Sequence, residues 1–207
     1  SATTHPTPST LRASPLNAGA VVSKQALTQA IRRASLQSGV APEFAVAVAK
    51  AESSLNPHAQ SSDGLSYGTF QMTEDAKTEV QDKFRSGDVL RPAGNDDVAL
   101  GVAYIRHLDD LFRDSTPLGH GLETVPVTDA SERRLFVAAA FNAGQGRVAS
   151  AQARAAAAGR DPSRFESIAP LLPSITQRYV PRVRGYAAAT TAASPVAAAT
   201  LAYPRRS

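Results

Sequence analysis

The sequence has no cysteine among its 207 residues and no apolar run near the length of a membrane span. The first absence excludes disulfides and thiolate metal sites, and the second predicts no stable membrane insertion. The N-terminal stretch also lacks the charged and then apolar pattern of a signal peptide, so export would need a signal already removed or another route. A chain without cysteine suits a reducing compartment and a bacterial envelope equally well, which leaves the compartment open.

A sustained alternation of apolar and polar residues, the pattern of a half-buried strand, is missing as well. Almost all valine and isoleucine residues fall inside helical patterns instead. The sequence therefore predicts a mainly α fold, with at most one short β-hairpin near residues 60–72.

Composition divides the chain into three parts. Residues 1–22 are rich in Ser, Thr, Pro and Ala without periodicity, and residues 188–207 are rich in Ala, Thr and Pro. Both parts are predicted to be flexible tails. Residues 23–187 carry the apolar periodicity and are long enough to bury one core, which predicts a single domain.

Helix signals repeat through that domain. Gly39 is a stop signal for the first predicted helix, and Pro42 lies in the first turn of the second. Asp129 and Glu132 have the spacing of a capping box. The predicted helices cover residues 23–38, 42–54, 73–84, 96–113, 130–143, 146–158 and 174–187, with loops at 55–71 and 115–128.

The formal charge of +4 is a modest excess that favours anionic partners such as nucleic acid, anionic lipid or an acidic cell-wall polymer. No nucleic-acid docking motif accompanies the basic residues, so we expect no nucleic-acid partner. The histidines show no metal-ligand spacing, and we expect neither a metal nor a cofactor. His107, close to Asp109 and Asp110, is interpreted as part of a solvated helix face. The sequence does not indicate an oligomeric state.

One acidic residue stands out in the second predicted helix. Phe44, Val48 and Glu52 share one face, because residues four apart stack along a helix. An unpaired carboxylate there would cost several kcal/mol, so its pKa should rise and it should hold its proton near neutral pH, as a general acid must. Spacing alone nevertheless favours a structural glutamate, exposed or paired with an arginine.

Five short motifs in a fixed order strengthen the functional interpretation. They are ESSLNPHAQS (52–61), YGTFQM (67–72), NDDVALGVAYIRHL (95–108), AAFNAGQGRV (139–148) and TQRYVPRV (176–183). In this order they resemble the lytic transglycosylases of the soluble type, in the goose-type lysozyme-like superfamily. The resemblance covers about residues 23–186 and implies a lysozyme-like domain.

The resemblance also implies roles for single residues. Enzymes of that family carry one catalytic glutamate at a helix end in the motif ESxFNP, which maps to Glu52 as the acid and later the base. Phe141 departs from the tyrosine that most members have at this position. The hydrogen bond that the tyrosine hydroxyl could donate to Glu52 or to the sugar would then fall more to Tyr179. From the residues alone, Tyr104 and Phe141 are equally well core aromatics. The implied substrate contacts are Ser61, Gln71, Met72, Tyr104, Phe141, Asn142 and Tyr179.

The activity implied is non-hydrolytic cleavage of the β-1,4 bond between N-acetylmuramic acid and N-acetylglucosamine in peptidoglycan, in the periplasm or cell envelope, after export or phage delivery. The C6 hydroxyl of the substrate serves as nucleophile, so no second carboxylate is needed. If Asp63 or Asp75 held a water instead, the enzyme would be an inverting hydrolase like goose-type lysozyme. A catalytically silent peptidoglycan-binding module of a virion or secretion apparatus is the other alternative.

Overall fold

A computed structural model describes residues 15–192 of the chain, with side chains from residue 23 onward. The helices within this range are α1 (Pro15–Ser38), α2 (Pro42–Ser53), α3 (Glu74–Ser86), α4 (Asp96–Arg113), α5 (Ala130–Ala143), α6 (Gln145–Ala157), α7 (Phe165–Ile168) and α8 (Ser174–Ala192). A 3-10 turn over Ala169–Leu171 follows α7. The strands are β1 (Ser66–Tyr67), β2 (Met72–Thr73), β3 (Pro117–Gly119) and β4 (Leu122–Glu123).

Most helix boundaries agree with the sequence signals. The second and fourth helices begin where Pro42 and Asp96 were expected, and Asp129 caps α5 by accepting a 2.7 Å bond from the Glu132 amide. The reciprocal half of the predicted capping box is absent, because the Glu132 carboxylate accepts from the Phe165 amide instead. That contact ties the short helix α7, which has no sequence signal of its own, to α5.

The tail boundaries stay a prediction. Helix α1 begins at Pro15, inside the range 1–22 assigned to a tail, and α8 ends at Ala192, beyond residue 187. The remaining tail positions, 1–14 and 193–207, lie outside the described residues.

Two antiparallel hairpins interrupt the helices. The first pairs β1 with β2 and confirms the hairpin expected near residues 60–72. The second pairs β3 with β4 inside the segment predicted as a loop, so the expectation of at most one hairpin is wrong. Its strands are two and three residues long, which is too short to show alternation in the sequence. Buried Thr124 fastens it to α4 by donating to the Leu111 carbonyl at 2.6 Å.

The core lies between α4, α5 and the helices packed around them. Phe112 of α4 and Phe136 of α5 are fully buried with ring centroids 5.9 Å apart. Helix α2 packs on α8, and α5 also packs on α8, so the ends of α2 and α5 approach the same helix. In the described part of the chain, no helix is both long and apolar enough to cross a membrane.

One glycine of the fourth predicted helix has a packing role. A Cβ on Gly101 would lie 2.1 Å from the ring of Phe70, which is fully buried. The missing side chain therefore lets the first hairpin rest directly on α4. This contact holds the hairpin against the domain at the place where the second and third sequence motifs meet.

Candidate active site

The middle of α2 is buried on all sides, from Phe44 to Ala49. A helix of this kind carries its last residues to the edge of the core, and Glu52 lies one residue before the end of α2. The helix stops there because Ser54 and Leu55 both have left-handed backbone conformations, with φ of 55° and 61°. Two consecutive non-glycine residues in this region are strained, and such strain gathers at functional sites.

The Glu52 carboxyl group has one hydrogen-bond donor, the hydroxyl of Tyr179, at 2.5 Å. Burial raises the pKa of Glu52 from 4.5 to about 7, although the Tyr179 hydroxyl and the positive charge of Arg182 both act to lower it. The expected rise of the pKa is therefore confirmed. A carboxyl group with this pKa holds its proton through mildly acidic pH and can release it near neutrality, as a general acid requires.

Tyr179 is itself almost entirely buried, with 3% of its surface exposed. Burial and the Glu52 charge hold the pKa of the phenol well above its ordinary value of 10, so it stays a hydrogen-bond donor. Arg182, one turn further along α8, lies over the Tyr179 ring at 5.5 Å from its centroid and donates to the Ala51 carbonyl at 3.4 Å. Arg182 and Tyr179 thus approach the end of α2 together.

The two candidate second carboxylates are both exposed. Asp63 is exposed and accepts bonds from the Ser61 hydroxyl at 2.5 Å and the Leu65 amide at 3.0 Å, which makes it a turn former and lowers its pKa. Asp75 is exposed in the first turn of α3. Of the groups described in residues 23–192, those that shift the Glu52 pKa are Tyr179 and Arg182, and no carboxylate is among them.

Two of the predicted substrate contacts, Ser61 and Gln71, stabilise the loop between α2 and α3. Ser61 also accepts from the Ser66 amide at 2.9 Å. The amide nitrogen of Gln71 donates to the carbonyls of Ala59 at 2.8 Å and Gly68 at 2.9 Å. Both N–H groups of Gln71 are therefore used inside the protein, and its Oε1 is the atom left for a substrate.

Met72 and Tyr104 lie in the core, with 5% and 7% of their surfaces exposed. For Met72 this leaves little surface for a substrate, since the side chain packs inward from β2, and its assignment as a groove contact stays a prediction. For Tyr104 it is the core role that the sequence left open. Burial raises the Tyr104 pKa above its ordinary value.

Phe141 and Asn142 occupy the end of α5. The Phe141 ring is half-buried and lies 5.3 Å from Tyr104 and 6.4 Å from Phe70. The Asn142 carbonyl oxygen accepts from the Thr176 hydroxyl of α8 at 2.8 Å, which leaves its amide nitrogen available. Asn142 is thereby bonded to the same two turns of α8 that carry Tyr179.

Ser53, the motif residue directly after Glu52, binds the backbone on two sides. The Ser53 hydroxyl donates to the Thr69 carbonyl at 2.7 Å and accepts from the Asn56 amide at 3.1 Å. The end of α2 is thus joined to the first hairpin. These bonds explain why the residues after the glutamate matter to its position, although sequence reasoning assigned them no role.

A second cluster of polar side chains, centred on the Glu79 carboxylate, was not predicted from the sequence. Glu79 of α3 accepts from His107 Nε2 at 2.8 Å and from the Gln145 amide at 3.1 Å. His107 is buried and stacks on Tyr104 at 6.4 Å, so its interpretation as part of a solvated face is wrong. Its position three residues after Tyr104 was the available signal, because residues three apart share a helix face. No group of His, Cys, Asp and Glu side chains suited to a metal occurs in the described part of the chain.

The comparisons with known proteins agree on one family. The transglycosylase SLT domain family matches residues 29–163. The chain is 31% identical over 161 residues to membrane-bound lytic murein transglycosylase F from Desulfosudis oleivorans, which covers 76% of this chain but 31% of that protein. The present chain thus spans about a third of that relative's length.

Two solved structures are similar in fold. One is an inactive mutant of the lytic transglycosylase Slt from Pseudomonas aeruginosa, with a TM-score of 0.54 and 22% identity. The other is the 70 kDa soluble lytic transglycosylase from Escherichia coli, with a TM-score of 0.56 and 23% identity. Each match covers 77% of this chain and 23% of the solved chain. The predicted fold class, a mainly α lysozyme-like domain, is confirmed.

Proposed function

Because the chain belongs to the transglycosylase SLT family, we propose that it is a peptidoglycan lytic transglycosylase with Glu52 as its catalytic residue. The observation that carries this proposal is the setting of Glu52. Its carboxyl group is partly buried, holds a proton up to about pH 7 and is bonded to a tyrosine rather than to a second acid. A glycosidase with two catalytic carboxylates would need another acid across the scissile bond.

The reaction uses Glu52 twice. First, the protonated carboxyl group donates its proton to the oxygen of the β-1,4 bond between N-acetylmuramic acid and N-acetylglucosamine, and the bond from that oxygen to C1 breaks. The ionised carboxylate then accepts the proton of the C6 hydroxyl while that oxygen forms a bond to C1. The product is a 1,6-anhydro end, and Glu52 regains its proton, so no water is consumed.

Tyr179 and Arg182 have their largest effect between these two steps. The phenol donates a hydrogen bond to Glu52 Oε1 at 2.5 Å, and a bond of this type strengthens when the acceptor becomes charged. The Arg182 charge also favours the ionised state. Both groups stabilise the carboxylate that exists only after the proton has left. The attack is intramolecular, so proximity supplies much of the rate.

The glycan contacts remain proposals. We assign the Asn142 amide nitrogen, Gln71 Oε1 and the half-buried Phe141 ring to the substrate groove, because each leaves a group free after its internal contacts are made. Ser61 keeps a smaller part, since its hydroxyl is already engaged with Asp63 and Ser66. From peptidoglycan as the proposed substrate we infer a location in the periplasm or cell envelope.

The runner-up is an inverting hydrolase. It requires a carboxylate about 6.5–9.5 Å from the acid, with room for a water between them. The acids considered for this role, Asp63 and Asp75, are exposed, and neither shifts the Glu52 pKa. This observation favours the transglycosylase.

Mass spectrometry of the products separates the two reactions. Purified murein is digested with the protein, and the released muropeptides are weighed. A transglycosylase produces anhydro ends, which are one water lighter than the reducing ends that a hydrolase produces. Reducing ends as the main product would overturn the proposal, and absence of any product from intact murein would favour a silent binding module.

A further inference from the structure

A cleft of about 730 Å³ lies between α3, α4, the second hairpin and the start of α6. It is separate from the Glu52 carboxyl group and contains the Glu79 cluster that the proposed reaction does not use. Its polar lining includes Glu79, Lys83 and Gln145, and its apolar lining includes Leu111, Leu118 and Leu122. The hairpin wall is fixed, because Thr124 joins it to α4.

Glu79 presents a negative charge to this cleft. Its Oε1 accepts from His107 Nε2 at 2.8 Å and from the Gln145 amide at 3.1 Å, whereas Oε2 has, among the described residues, only the longer 3.4 Å contact with the same amide. About a third of the side chain is exposed, at 34%. The hydrogen bond from His107 lowers the Glu79 pKa despite partial burial. Oε2 of an ionised carboxylate is therefore available to a cation.

Lys83 presents the opposite charge on the same side of α3. It follows Glu79 by four residues, and residues four apart share a helix face. Its side chain is 37% exposed and forms a 3.4 Å ion pair with exposed Asp88. Exposed pairs of this kind are weak, so a ligand carboxylate can compete with Asp88 for the ammonium group.

We propose that this cleft binds the zwitterionic end of an amino acid, with its ammonium group on Glu79, its carboxylate on Lys83 and its aliphatic chain against the three leucines. In peptidoglycan, such an end is present where a diamino dicarboxylic acid of the peptide stem keeps its second amine and the carboxylate beside it unlinked. The inference therefore rests on the proposed function, and it assigns the peptide portion of the same substrate to a site of its own.

The cleft is connected to the catalytic end of the domain through packed rings. His107 stacks on Tyr104, and Tyr104 contacts Phe141, the residue before Asn142. Gln145, which binds Glu79, follows Asn142 by three residues at the start of α6. A glycan bound at Asn142 would thus have its peptide stem close to the cleft.

Calorimetry with a peptide that lacks sugar tests the site directly. The probe is the tripeptide L-alanyl-D-glutamyl-meso-diaminopimelate, titrated into the full chain, and its counterpart acetylated on the free side-chain amine. We expect saturable binding of the first, and a loss of about tenfold or more in affinity for the acetylated form and for the variants Glu79→Gln and Lys83→Gln. The matched controls are Glu74→Gln and Lys77→Gln, on the same helix but outside the cleft lining.

Equal binding of the acetylated peptide, absence of saturable binding, or an equal loss in the control variants would overturn the assignment. Glu79→Gln keeps a side-chain oxygen that can accept from His107. Lys83→Gln changes an exposed side chain, so it tests the site even if Glu79→Gln fails to fold. Murein digestion is measured in parallel. Digestion without peptide binding refutes the cleft and keeps the transglycosylase, whereas peptide binding without digestion refutes the transglycosylase and keeps a peptide site.

Discussion

Glu52 and Glu79 are the same residue type in two partly buried sites, and their surroundings move the pKa in opposite directions. At Glu52, burial outweighs one phenol and one arginine, and the pKa rises to about 7. At Glu79, which is less deeply buried, the bond from His107 is the largest influence and the pKa falls. The first glutamate is equipped to transfer a proton, and the second to remain an anion.

The opposite pKa shifts come from the groups that surround each carboxyl group. Glu52 lies in the last turn of a helix whose middle is buried on all sides, and the hydrogen-bond donor it meets among the described residues is an uncharged phenol. Glu79 faces two donors from α4 and α6, one of them an imidazole, with Lys83 nearby. Burial disfavours the charged form, while hydrogen bonds and positive charges favour it. The balance of these terms, rather than the residue type, decides the role.

The largest expected effect is on catalysis. Glu52→Gln removes the proton that the mechanism transfers, so murein digestion should fall by about 1,000-fold or more. Release of soluble muropeptides over time measures it. Glu74→Gln, an exposed glutamate on α3, is the matched control and should keep the wild-type rate. Digestion by Glu52→Gln within tenfold of wild type would assign the chemistry to another residue.

A second expected effect is on stability, with opposite signs at the two sites. The Glu52 pKa is near 4.5 in the unfolded state and about 7 in the fold, so stability falls as the pH rises between these values. The full penalty is about 3 kcal/mol. Glu52→Gln should therefore raise the free energy of unfolding by up to that amount at pH 8, and change it little at pH 4.

Glu79→Gln should do the reverse. A lowered pKa stabilises the fold above the unfolded value near 4.5, and that contribution is lost as the pH falls through the folded value below it. The variant should lose about 1 kcal/mol at pH 7, after allowance for exposure, and the deficit should shrink below pH 4.5. Urea denaturation at several pH values measures both variants. Changes of the same sign at pH 8 would contradict the comparison.

The smaller of the two effects on catalysis concerns the hydrogen-bond partner of the acid. Tyr179→Phe removes a bond that lowers the Glu52 pKa, so that pKa should rise above about 7 and the alkaline limb of the rate profile should move to higher pH. The rate at pH 6 should fall about tenfold, because the ionised carboxylate loses its donor. A pH profile of murein digestion measures both. A limb that moves to lower pH would exclude Tyr179 as the donor.

Much of the fold could be predicted because its signals are local. Helices α2, α4 and α5 follow from periodicity, and Pro42 and Asp129 show where two of them begin. The second hairpin and α7 could not be predicted in this way. Their segments are too short for a periodic pattern, and they form because Thr124 and Glu132 attach them to helices already in place.

In the candidate site, too, the features with local sequence signals could be predicted and those that depend on tertiary contacts could not. Position on an apolar helix face was enough to single out Glu52 and to expect a raised pKa, and the ordered motifs indicated the family. The resemblance placed Met72 in the groove, and that stays a prediction. The interpretation of His107 as solvent-exposed is wrong, because the direction of a side chain depends on the partner that packs against its element. Gln71 was identified, but the use of its N–H groups inside the loop was not.

By itself, then, the sequence determined the helical class, the place of Glu52 at a helix end and the exclusion of thiol chemistry. The resemblance had singled out the Tyr179 hydroxyl, but only the tertiary structure decided that it meets that carboxyl group, from 127 residues away along the chain. It also brought Glu79, His107 and Gln145 together from three helices. The physical reason is that periodicity and caps act over a few residues, whereas a pKa is set by burial and by neighbours that folding brings from anywhere in the chain.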